Sequence, residues 1–201
     1  MIALYDWQKP YADLQEAILR RSRVALNTMA MGVGKTYIAI ETARRLGLKL
    51  FVLCPKAVKT AWRRVAEDMG YTDGILDVVN PERIALKKTQ YYDGLWHLGT
   101  EPVLLVWDEI HRGCSGADSA QTAALAKLKA YPNVRMILQS ATMAESPLKM
   151  RGLGFLSGLH GFTSSSFYSW CRQNACYPSS YHRGLEFSRG VRGTEAMRRI
   201  H

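Results

Sequence analysis

Two stretches of the chain combine residue types that can grip a phosphate and a metal ion. The first is Val24–Thr36, V-A-L-N-T-M-A-M-G-V-G-K-T, followed by a helical run from Tyr37 to Leu46. An apolar strand, a glycine turn and a helix opened by Lys35 and Thr36 make a phosphate cradle. Loop amides and the helix N-terminus point at the anion, and the lysine adds a point charge. The cradle is Gly32, Val33, Gly34, Lys35 and Thr36; against the pattern G-x-x-x-x-G-K-[ST] one position departs, with Met29 in place of the first glycine. The alternative is a glycine-rich turn with a chance Lys-Thr. The second stretch is Pro102–Glu109, P-V-L-L-V-W-D-E. Burying two carboxylates at a strand end is costly unless they are paired or on a metal, and the carboxyl edge of an open α/β sheet is where ligands sit. There Asp108 can hold Mg2+ through water, with Thr36 as the other protein ligand, and Glu109 can orient or deprotonate an attacking water.

These residues need a sheet and helices to bring them together. Apolar runs at Lys49–Pro55, Ile75–Asn80 and Val134–Gln139 join the two above as predicted strands. Helices are predicted over Pro10–Arg21, with Ala12, Leu14, Ala17, Ile18 and Leu19 on the apolar face, and over Lys56–Met69. A third runs over Ser119–Tyr131 with Asp118 as N-cap. Glu82–Lys88 reads as one or two turns, Trp96 as core, Phe162–Cys171 as a Ser- and aromatic-rich stretch, Asn174–Arg192 as loop and Thr194–Ile200 as a short basic helix. Before the first helix, the amide of Gln8 can read the edge of an adenine with Tyr5 or Trp7 packed on the base, or Tyr5–Gln8 can be a staple over the core. Lys56 and Lys59 stand near a helix start, where positive charge opposes the dipole; they meet phosphates there or are plain solvated lysines. Ser140 and Thr142, beyond the last strand, can hydrogen-bond the acidic pair and relay its state to a neighbouring lobe.

The chain has 201 residues, enough for one domain with a full core, and a formal charge of +10. That surplus points to a polyanionic partner, nucleic acid before membrane. It rises toward the end: 151–201 holds seven arginines, no lysine and two acids. No apolar run approaches the ~20 residues of a membrane span, and the first ten residues do not read as a signal peptide. Four scattered cysteines are expected as free thiols in a reducing compartment, cytoplasmic or nucleoid/nuclear. Cys171 and Cys176, with His160 or His182, have C-x4-C spacing without a second regular pair, so no zinc site is expected.

Strand–loop–helix with G-K-T, a strand ending in D-E and a strand ending in S-A-T, in that order, resemble the first RecA-like lobe of superfamily-two helicases and translocases. D-E-I-H at Asp108–His111 is close to their D-E-A-H box. Further stretches resemble the Swi/Snf-type branch: M-G-V-G-K-T its M-G-L-G-K-T, Leu53–Trp62 its strand–proline–helix motif ending in tryptophan, and V-V-N-P-E-R-I its V-V-N-Y-E-K-I. F-Y-S-W-C and R-G-T-E-A-M sit where the branch has an F-x-x-W or F-x-x-R element and an N-x-E-E-L element. Met29-Ala30 replaces the branch's Asp-Glu, and Ser-Ala-Thr its Gly-Thr-Pro.

The resemblance implies an α/β, RecA-like P-loop NTPase three-layer sandwich with a mostly parallel central sheet. The ATP-binding lobe would span 1–145, and 146–201 would be a helical and loop extension leading to a second lobe in cis or in trans. It implies Gln8 as adenine reader, Lys35 as β/γ-phosphate ligand, Thr36 and Asp108 as Mg2+ holders, Glu109 as base and His111, Ser140 and Thr142 as coupling residues. ATP and Mg2+ would be the cofactors. DNA would run over the strand-end face, touched by Lys56, Lys59, Asn80 and Arg83. The implied function is ATP hydrolysis coupled to movement on nucleic acid, completed by a second lobe that supplies arginines. Two rivals are a non-catalytic DNA- or protein-binding adaptor, for which Lys35, Asp108 and Glu109 would have no use, and an unrelated P-loop phosphotransferase, which the later S-A-T disfavours.

Overall fold

Each of the five apolar runs forms a strand of one sheet: β1 Val24–Asn27, β2 Lys49–Leu53, β3 Ile75–Val79, β4 Val103–Asp108 and β5 Val134–Gln139. The computed structural model describes residues 2–113, 119–141, 147–178 and 184–187. The sheet order is β1-β5-β4-β2-β3, with every neighbouring pair parallel. Both faces are covered, which is why these strands are mostly apolar in sequence rather than strictly alternating, with Asp77 of β3 and Arg135 of β5 as interior exceptions. On one face lie α1 Lys9–Arg21, α2 Lys35–Leu46 and α3 Lys59–Asp68, packed on Leu104, Val106 and Ile137. On the other lie α4 Pro81–Ala85, α5 Ala120–Leu128, α6 Met150–Ser157 and α7 Ser164–Gln173, packed on Val103, Leu105, Trp107 and Leu138. The fold is the α/β three-layer arrangement expected, with an all-parallel main sheet. Met150, Leu153, Phe167 and Trp170, from 146–201, are buried in the same core as β4 and β5.

Several local expectations are corrected. The helix predicted from Lys56 opens as a 3-10 turn over Lys56–Val58, and α3 proper starts at Lys59. In α1, Leu14 and Ala17 face solvent while Gln15 is buried, its Oε1 accepting from Thr42 Oγ1 at 3.2 Å; a polar residue takes the inner position because a hydroxyl waits for it there. The N-cap of α5 is Ser119, whose Oγ accepts the Thr122 amide at 3.1 Å; Asp118 lies outside the described residues. Within the predicted loop 174–192, a short antiparallel ribbon forms from β6 Cys176–Pro178 and β7 Leu185–Phe187. Trp96 is core, 3% exposed, its indole donating to Ala124 O at 2.7 Å.

Candidate functional site

β1 ends at Asn27, and the chain turns through Gly32 (φ 78°) and Gly34 (φ 75°) before α2 begins at Lys35. Both glycines are in the left-handed region that a side chain disfavours. The loop is closed over its own lysine: buried Lys35 donates from Nζ to Met29 O and Ala30 O, both at 3.0 Å. Carbonyl dipoles satisfy the ammonium, and a phosphate oxygen would offer it a stronger, charge-assisted acceptor. Thr36 follows on the first turn of α2, half-buried. Gln8 packs against the loop at 4% exposure, with Oε1 accepting the Tyr5 amide at 3.1 Å and Nε2 donating to Val33 O at 3.3 Å. Tyr5 and Trp7 beside it are exposed.

Asp108 closes β4, and both its oxygens are held. Oδ2 accepts from the Trp62 indole and Oδ1 from Gln139 Nε2, each at 3.0 Å. Neither partner is among the sequence-derived site residues. Trp62 closes a recognisable stretch in sequence but nothing local ties it to Asp108, whereas Gln139, an amide ending the run V-R-M-I-L-Q, is conspicuous as a polar residue on a buried strand. β1 and β4 flank β5, so at about 4.8 Å per strand the ends of β1 and β4 stand roughly 10 Å apart. Because the strands are parallel, these ends share one edge, and the glycine loop and the acid pair are brought together there.

Glu109 does not extend β4 as expected. It takes a left-handed conformation (φ 56°, ψ 45°) that caps a 3-10 turn over Ile110–Arg112. For a non-glycine residue this costs about 1–2 kcal/mol, and it turns the side chain away from the strand path. Glu109 Oε2 is buried without a hydrogen bond. It lies 3.2 Å from His111 Nδ1, but that nitrogen bonds Ser140 Oγ at 2.7 Å. Glu109, His111 and Ser140 are thus clustered across the ends of β4 and β5; Thr142 lies outside the described residues. Cys54, just beyond β2, is fully buried, and its thiol is pushed up to about 12, first by burial and then by the Asp108 charge.

This donor set suits Mg2+. Each Asp108 oxygen keeps a lone pair beyond its one hydrogen bond, and Glu109 Oε2 is an acceptor without a hydrogen-bond donor. A cation here would be held by few protein groups and would keep its waters, as Mg2+ does.

The four residues expected to meet nucleic acid divide between two grooves. Lys56 and Asn80 line one of about 320 Å³, with Pro81, Asp108, Glu109 and Arg112. Lys59 and Arg83 line another of about 180 Å³, with Asp77, Thr89 and Tyr91. Asn80 also caps α4, its Oδ1 accepting the Glu82 amide at 2.8 Å, and Arg83 Nε donates to Lys88 O at 2.8 Å. Arg112, absent from the sequence-based set, gives the larger groove a second cation. Among the described residues no helix is long and apolar enough to cross a membrane.

No family model matches the chain. A protein of Acanthamoeba polyphaga mimivirus, named as a candidate ATP-dependent RNA helicase, is 27% identical over 174 residues, covering 74% of this chain and 32% of that protein. The solved structure of the Sulfolobus solfataricus SWI2/SNF2 ATPase core in complex with dsDNA superposes with a TM-score of 0.62 at 15% identity, over 86% of this chain and 39% of the other. The chain thus spans about a third of the curated relative and well under half of the structural one. The structural likeness gives the fold as RecA-like, and the sequence relative supports reading the chain as a superfamily-two helicase-like lobe.

Proposed function

We propose that this lobe binds ATP with Mg2+ in the glycine loop and hydrolyses it in step with a nucleic acid lying along the strand ends. One observation carries the reading. A loop whose buried lysine is held only by carbonyls shares an edge of the sheet with an aspartate whose two oxygens are held in place by Trp62 and Gln139. In this reading Gly32, Val33, Gly34 and Lys35 grip the phosphates and Gln8 borders the base. Thr36 and Asp108 would hold Mg2+, which when bound neutralises phosphate charge. Glu109 orients the attacking water and takes its proton. His111 and Ser140 link that acid to the end of β5, and with Thr142 they would couple the site to a second lobe, in cis or in trans. Such a lobe would supply an arginine worth ~10³–10⁵ in rate, so the isolated chain binds ATP weakly and hydrolyses it slowly.

Duplex DNA is the partner we assign, on the Swi/Snf-type motifs and on the dsDNA held by the structural relative. RNA is the second reading, favoured by the name of the mimivirus relative. The test is nucleotide binding and hydrolysis by the full chain, alone and with duplex DNA, single-stranded DNA or RNA. Lys35→Ala should abolish binding. Glu109→Gln should keep binding and lower turnover by about 10² or more. ATP binding by Lys35→Ala equal to that of the parent would overturn the proposal, as would robust DNA-stimulated turnover by the chain alone for the need of a second lobe.

A further inference from the structure

Two buried polar atoms at the carboxyl edge of the sheet make no hydrogen bond: Asn27 Nδ2 and Gln139 Oε1. Asn27 is 4% exposed and Gln139 fully buried. They are register partners on β1 and β5, so their backbones run about 4.8 Å apart and their side chains stand on the same face. Their remaining atoms fix which way each amide faces. The Met29 N–H is a donor and nothing else, so Asn27 presents Oδ1 to it, at 3.1 Å. The Asp108 carboxylate accepts, so Gln139 presents Nε2 to it, at 3.0 Å. Each amide is left with the end the other needs, a donor on Asn27 and an acceptor on Gln139.

We propose that Asn27 and Gln139 form an amide relay of fixed polarity, running Met29 N–H to Asn27, Asn27 NH2 to Gln139, and Gln139 NH2 to Asp108. The relay makes the position of the glycine loop and the orientation of the Asp108 carboxylate one coupled variable. Its functional consequence rests on the nucleotide-site reading above. A phosphate that draws Lys35 off Met29 O and Ala30 O moves the Met29 segment, and the relay passes that movement across β5 to the carboxylate. Asn27 and Gln139 are positioning residues in this scheme; neither touches the reacting atoms. Trp62, on the other oxygen of Asp108, keeps the carboxylate from swinging freely when the relay shifts.

The test has a nucleotide-free arm and a nucleotide arm. In the free protein, the side-chain NH2 groups of Asn27 and Gln139 should exchange with solvent far more slowly than exposed amides by NMR. Asn27→Leu, Gln139→Leu and the double variant should give a non-additive cycle in the unfolding constant, with a coupling factor of about 5 or more. Asn27→Asp, which sets acceptor against acceptor, serves if a leucine variant fails to fold and should weaken stability more than Asn27→Ala. In the second arm, the factor by which Mg2+ tightens ATP binding should fall about tenfold in each single variant and no further in the double. Additive unfolding effects with fast exchange of both amides, or an unchanged Mg2+ factor in a protein that binds ATP, would overturn the relay. Failure of the parent protein to bind ATP, with coupling present in the free protein, would sink the nucleotide reading and leave the relay standing as a tie between loop and acid.

Discussion

Trp62 fills the core beneath α3 and also holds one oxygen of Asp108. Trp62→Phe removes the donor and leaves part of the indole's buried space unfilled, which adds to the cost. A hydrogen bond to a charged group is worth about 1.5–3 kcal/mol, so denaturant unfolding should show a loss of that order, with turnover falling more than nucleotide binding. Cys54 offers a test of a different kind. Its ordinary value of 9.0 is raised to about 12 by burial and by Asp108. A thiol with a raised folded-state value adds stability that is fully present below the unfolded value. That stability is lost as pH climbs from there through the folded one, so the loss should fall between pH 9.0 and about 12. In the native protein at about pH 8, Cys54 should resist iodoacetamide, because the thiolate is the reactive form, and should label when the chain is unfolded. Mass spectrometry of the labelled peptide decides it.

At the level of the elements, the glycine turn and the N-terminal segment depend on one another. A Cβ on Gly34 would stand 2.3 Å from Gln8 Nε2, in a left-handed backbone that already disfavours a side chain. Gly34→Ala should therefore cost at least about 1–2 kcal/mol by calorimetry and weaken ATP binding by dislodging Gln8 from Val33 O. Most of the architecture was legible in sequence because the strands, covered on both faces, leave mostly apolar runs, even where Asp77 and Arg135 interrupt β3 and β5. β5 was read to the residue, Val134–Gln139. What escaped depends on partners remote in sequence. Gln15 is buried because Thr42 faces it, and Glu109 leaves the strand because a 3-10 turn begins there. The three-residue strands of the β6–β7 ribbon are too short to show a period. In the site, Lys35 and Asp108 were visible from local motifs. The roles of Trp62 and Gln139 were not, since only strand register and the seating of α3 bring them to one carboxylate.

Across the whole molecule, the +10 charge bears on the nucleic-acid binding we propose. Affinity for duplex DNA should fall linearly in log[salt], and Lys56→Ala or Arg83→Ala should each flatten the slope by about 0.9, the change expected when one phosphate is no longer neutralised. Titrations at several ionic strengths read this directly, and unchanged slopes would remove those side chains from the track. The two grooves that hold Lys56 and Arg83 both lie near the ends of β3 and β4, and neither is lined by α7. α7 shares its face of the sheet with α4 and α5 but lines neither groove, and Tyr168 is exposed on it. That separation gives the experimenter a handle. A bio-orthogonal group at Tyr168 would let single molecules be anchored to glass or to an optical bead away from both grooves, so that the duplex binding we propose could be watched on tethered molecules.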